Sequence, residues 1–103
     1  MHDVHLLNRV DTTLPVLAPP LTLVAGPATI AVEHWSDGTY VAHLPSTGLY
    51  GTGSSEQSAV RELVEEIRVF YDQMEEFDRK KTFLGGALAM QWQSLQAIVK
   101  RVP

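Results

Sequence analysis

Residues 29–44 read TIAVEHWSDGTYVAHL, two runs of β-prone residues on either side of Ser36, Asp37 and Gly38. Valine, isoleucine, threonine and aromatic side chains suit a pleated, half-buried surface, and Asp-Gly supplies the backbone freedom of a hairpin turn. The stretch predicts two antiparallel strands. If the turn pairs Trp35 with Tyr40, then Ile30, Val32, His34, Val41 and His43 share one face, and Ala31, Glu33, Trp35, Tyr40, Ala42 and Leu44 share the other. Both faces carry apolar residues. One should lie under a helix, and the other under the C-terminal segment or another chain. Pro45 closes the second strand.

Downstream, LYGTG at 49–53 is short and glycine-rich and predicts a third strand that delivers the chain to a helix. Ser54, followed three residues later by Gln57, has the spacing of a capping box, and the helix is expected over about 55–77. Val60, Leu63, Val64, Ile67, Phe70, Tyr71, Met74 and Phe77 recur at intervals of three and four, the mark of a stripe that faces a sheet. Such a helix spans about 35 Å, enough to cover a small sheet. The glycines of GTGSS are expected to let strand and helix approach closely. Gly85 and Gly86 precede a second helix, predicted over 87–102, with Leu88, Trp92, Leu95, Val99 and Val102 as its apolar stripe. Upstream, LTLV is a short β-prone run broken by Gly26 and Pro27. Residues 1–20, with Pro15, Pro19 and Pro20, read as an extended arm or one short edge strand. The organisation is therefore an arm over 1–20 and one α+β domain over 21–103, a three- or four-stranded, mainly antiparallel sheet covered by one long helix, plus a C-terminal helix.

A chain of 103 residues has room for one core. Hydrophobic residues make up 45% and charged residues 19%, which is enough apolar material to fold without staples. There is no cysteine, so disulfides, thiolate metal sites and cysteine nucleophiles are excluded, and a cytoplasmic location is expected. MHDVHLLNRVDTT resembles neither a signal peptide nor a membrane span. The net charge of −4 comes from 12 acidic and 8 basic residues. That balance argues against nonspecific nucleic-acid binding by the body of the domain. Arg79, Lys80, Lys81, Lys100 and Arg101 are the cations from which a nucleic-acid contact could be built; as solvated helix ends they would instead complement the helix dipole.

Between Thr29 and Met74 the order of features resembles the HicB-like antitoxin family. The carriers are the strand with Glu33, the Asp37–Gly38 turn, the strand ending in Leu44 and Pro45, the Gly51 and Gly53 pair, and Ser54 leading into the helix that contains Ala59. The resemblance implies a partial ribonuclease H fold, β-β-β-α-β, without the catalytic carboxylates. It also implies a domain that neutralises a small messenger-cleaving toxin by binding it and that forms dimers or higher oligomers. Neither a helix-turn-helix nor a ribbon-helix-helix pattern follows Gly86, and no fourth strand is evident after the long helix.

These readings predict a non-catalytic binding protein with no cofactor. Trp35, Tyr40, His43, Tyr50 and Trp92 are the residues expected to meet a protein partner, because aromatic side chains anchor interfaces; for Trp92, core packing is the stronger alternative. In the register above, His34 and His43 share a face and could approach one metal, but a zinc site needs further ligands and Glu33 points the other way. Asp37 is a turn residue and Glu33 a single acid on a strand, which is not the cluster a metal-dependent nuclease requires. GTGSS has neither the lysine nor the third glycine of a phosphate-binding fingerprint. The rival function is a transcriptional regulator that binds nucleic acid through the five cations.

Overall fold

The structure is a computed structural model that describes residues 3–15 and 17–102. Eight elements follow in order: β1 (Leu6–Thr13), β2 (Leu21–Leu23), β3 (Thr29–Trp35), β4 (Tyr40–Leu44), β5 (Leu49–Gly53), α1 (Glu56–Arg79), α2 (Gly86–Gln96) and β6 (Val99–Arg101). The fold is α+β. Four strands form one antiparallel sheet in the order β1-β3-β4-β5, and the long helix α1 packs against it. A two-stranded antiparallel sheet of β2 and β6 and the helix α2 close the far end of the core.

The hairpin forms where expected, but its register differs by one residue. Gly38 has φ +88° and its N–H donates to the Trp35 carbonyl at 2.9 Å; the Trp35 N–H donates to the Thr39 carbonyl at 2.8 Å. A glycine in the left-handed region at this place closes the turn through a G1 bulge in three residues, Ser36 to Gly38, one fewer than pairing Trp35 with Tyr40 requires. Tyr40 therefore faces His34, Val41 faces Glu33, Ala42 faces Val32 and His43 faces Ala31. A slip of one residue exchanges every side chain on one strand between faces. The helix-side face carries Ile30, Val32, His34, Tyr40, Ala42 and Leu44, and the other carries Ala31, Glu33, Trp35, Val41 and His43.

Beneath α1, Ala59, Leu63, Ile67, Tyr71 and Met74 are buried against Ile30, Val32, Ala42, Leu44 and Leu49. Val60, Val64, Phe70 and Phe77 flank that stripe, half-buried. The strand below approaches so closely that a β carbon on Gly51 would meet the backbone of α1 at Leu63, Ala59 and Glu62. The Gly51 and Gly53 pair is thus what lets β5 lie flat under the helix. The helix starts one residue later than the Ser54–Gln57 spacing predicts. Its cap is Ser55, whose Oγ accepts from the Ser58 N–H at 3.1 Å while Ser58 Oγ accepts from the Ser55 N–H at 3.1 Å. Two serines three apart thus make a reciprocal cap, serine taking the place usual for glutamate or glutamine. At the other end Lys81 turns left-handed, φ +55°; its N–H donates to the Asp78 carbonyl and that of Thr82 to the Phe77 carbonyl. This paired closure ends the helix without a glycine.

The second helix stops at Gln96, short of the expected 102. Residues 99–101 leave it as β6 and pair with Leu21–Leu23, and Val99 is fully buried. The β-prone run at LTLV supplies β2, but its partner is not evident locally, because the two lie about 80 residues apart in the chain. A strand does follow the long helix, but it belongs to the second sheet; the place beside β3 is taken by β1. Of the two readings of residues 1–20, the edge strand is the one that forms: Leu6–Thr13 pairs with β3, and Leu14 and Leu17 are buried in the core.

Candidate protein-binding face

One face of the four-stranded sheet carries none of the described helices. Glu33 and Trp35 on β3, Val41 and His43 on β4, and Tyr50 on β5 lie there, with Arg9 and Asp11 on the outer strand β1. Period-two alternation puts them on one side, and the register sets who is adjacent. His43 sits opposite Ala31, whose methyl side chain leaves room for His43 to lean diagonally to Glu33. His43 Nε2 lies 3.0 Å from Glu33 Oε1, and Trp35 Nε1 donates to the same oxygen at 3.2 Å. Arg9 faces Glu33 across the other ladder. The His43 hydrogen bond is the largest reason that the Glu33 carboxyl is held below its usual range; partial burial opposes the shift, and the Trp35 donor and the Arg9 charge reinforce it. The ring of Tyr50 lies 6.4 Å from that of His43 and is 56% exposed. The arrangement is a row of three aromatic rings, two of which, Trp35 and His43, have their polar edges fixed by one carboxylate.

Of the five residues expected to meet a partner, Trp35, His43 and Tyr50 gather on this face. Tyr40 does not: the register puts it on the helix side, stacked on His34 at 4.3 Å and packed against the core. Trp92 is 5% exposed, between the Tyr71 ring at 4.9 Å and Phe70, with its Nε1 donating to Asp78 at 2.9 Å. Glu33 is the polar centre that the expected register directed to the wrong side of His43. Its signal in the sequence is the carboxylate two residues before a tryptophan on one strand. His34 and His43, expected to share a face, stand on opposite faces, and no group of three or more metal-binding side chains occurs among the described residues.

The five cations come to the far end of α1 and the small sheet. Arg79 pairs with Glu76, and Lys80 Nζ lies 3.3 Å from the same carboxylate. Arg101 donates to Glu75 at 2.8 Å and to Asp72 at 2.8 Å, and these bonds raise its pKa above the usual arginine value. Lys81 is the residue that turns the chain out of the helix, and Lys100 is exposed on β6. Acids of α1 therefore neutralise three of the five where they stand.

Comparison of the chain with protein-family models, with curated proteins and with solved structures gave no match. No described helix is long and apolar enough to cross a membrane.

Proposed function

We propose that the chain is a non-catalytic protein-binding domain, of the antitoxin type that its sequence resembles, and that it takes a protein partner on the helix-free face of the sheet. The observation that carries this reading is the pair Trp35 and His43 held by the Glu33 carboxylate, with Tyr50 beside His43 and no described helix packed over them. Aromatic side chains fixed by hydrogen bonds lose little freedom on binding and bring large contact area, which is the pattern of interface anchors. Eight of the 12 acidic residues lie between Glu56 and Asp78. That charge favours a basic partner by speeding encounter and rejecting acidic competitors. A small basic toxin fits these requirements, and a cysteine-free domain suits the reducing cytoplasm.

The test is affinity capture from the host with the wild-type chain, with the double variant W35A/Y50A, and with V69A on the outer side of α1. The expected result is a small basic polypeptide retained by wild type and V69A and lost from the double variant, whose circular dichroism matches wild type. Equal capture by all three, or capture of no basic protein, would overturn the reading. Low-salt DNA binding that disappears on substituting Lys81 and Lys100 would replace it with the regulator function.

A further inference from the structure

The strand β1 is an edge of unusual openness. All eight of its residues are exposed, since α1 lies over β5 and β4, touches β3 lightly and stops short of β1. Proteins normally protect such an edge with proline, repeated charge, a bulge or brevity. Leu6–Thr13 has no proline, one arginine and one aspartate, and its one irregularity lies at Leu7, beyond which the pairing with β3 is regular from Asn8 to Thr13. Val10, at its middle, is 43% exposed, and Leu7 is 54% exposed. The backbone of such a strand is a template for another strand.

We infer that β1 pairs with β1 of a second copy of this chain, antiparallel about a two-fold axis at Val10, so that Arg9 of each copy faces Asp11 of the other. The register follows from charge and symmetry. A two-fold axis normal to the sheet keeps every residue on its own face, so the strands can be centred only on a residue, which then opposes its own copy. Centring on Arg9 sets arginine against arginine, and centring on Asp11 sets aspartate against aspartate. Centring on Asn8 or Thr12 leaves both charges without a charged partner across the new ladder. Val10 at the centre joins Arg9 to Asp11 twice, and no other antiparallel register does so once. Arg9 already faces Glu33 on its inner side, whereas Asp11 faces Ala31. The second copy supplies the cation that Asp11 does not meet within its own sheet.

This interface is made by the strand edge, and its test reads self-association and not partner capture, so it holds whether or not the aromatic face takes a partner.

Sedimentation velocity on the full chain across a concentration series tests it. The wild type is expected to move from monomer to dimer as concentration rises. D11R and R9E each set like charges opposite one another twice and are expected to weaken the dimer by about tenfold at low salt. An equimolar mixture of the two variants restores opposite charges at both contacts and is expected to recover the wild-type affinity as a heterodimer. Because the chain has no cysteine, V10C reports the axis directly. Mild oxidation is expected to cross-link it between copies, with T12C much less reactive. A wild type that stays monomeric to millimolar concentration would overturn the proposal. So would a dimer indifferent to D11R and R9E, a mixture that recovers nothing, or T12C cross-linking in preference to V10C.

Discussion

His43 Nε2 and Glu33 Oε1 stand 3.0 Å apart on the diagonal between β3 and β4, and the oxygen they share with Trp35 Nε1 makes Glu33 the common acceptor of the helix-free face. Its carboxyl is held below the usual value, so the folded state favours the ionised form. A depressed carboxyl contributes stability that is fully present above the unfolded value, 4.5, and is lost as pH falls through the folded one. Glu33→Gln keeps the acceptor and removes the charge. Urea melts are expected to show E33Q less stable than wild type by about 0.5–1.5 kcal/mol at pH 7. The gap should close as the pH is lowered through and below 4.5. A gap that persists or widens in acid would mean that the charge of Glu33 is not what the face uses.

The cap of α1 separates two adjacent serines. Ser55 Oγ accepts the Ser58 N–H, and no hydrogen bond to the Ser54 side chain occurs among those of the described residues. Loss of a capping serine typically costs about 1 kcal/mol. Ser55→Ala is expected to lower stability by about that much and Ser54→Ala to leave it within about 0.5 kcal/mol. Thermal or urea denaturation of the two variants decides between caps one residue apart.

Gly51 and Gly86 make a second contrast. An alanine at 51 drives its methyl group into the backbone of α1, which cannot move aside as a flexible side chain would. Gly86, the first residue of α2, has open space around the equivalent position. Overpacking of this kind costs about 1–3 kcal/mol, and contact with helix backbone puts Gly51→Ala at the upper end. Gly86→Ala is expected to be neutral or to stabilise by up to about 1 kcal/mol, because it restricts the unfolded chain. Equal effects at the two sites would contradict the close approach of β5 to the helix.

What could be read from the sequence was local. The Asp37–Gly38 turn, the β-prone runs beside it and the three- and four-residue spacing from Val60 to Phe77 each depend on neighbours in the chain, and the hairpin and long helix stand where they predict. The register was not readable from the strands, because pairing Trp35 with Thr39 in place of Tyr40 rests on which loop residue takes the left-handed conformation, and Gly38 takes it. That single residue moved Tyr40 to the core side and brought Glu33 to His43. Non-local pairing was legible only as an open choice at the N-terminus, arm or edge strand, with no partner indicated. Arg9 and Asp11 look like charges on an arm until β1 docks beside β3, and Val99 looks like a helical position until Leu23 faces it.

The two tryptophans, both candidates for partner contact from their residue type, have separable roles. Trp92 is buried, edge-on to Tyr71, and bonded to Asp78, so its removal leaves a cavity and an unpartnered carboxylate. Truncating a buried tryptophan costs about 3–5 kcal/mol, a large part of what holds a domain of this size together. Trp92→Ala is therefore expected to unfold at much lower urea than wild type, and Trp92→Phe to retain part of the packing while losing the Asp78 bond. Trp35 is half-buried on the face that carries no helix, with Glu33 as its hydrogen-bond partner. Trp35→Ala is expected to lower stability by about 1 kcal/mol or less and to abolish capture of the partner. A Trp35 variant as unstable as the Trp92 variant would make that tryptophan a core residue, and the aromatic face would lose its central anchor.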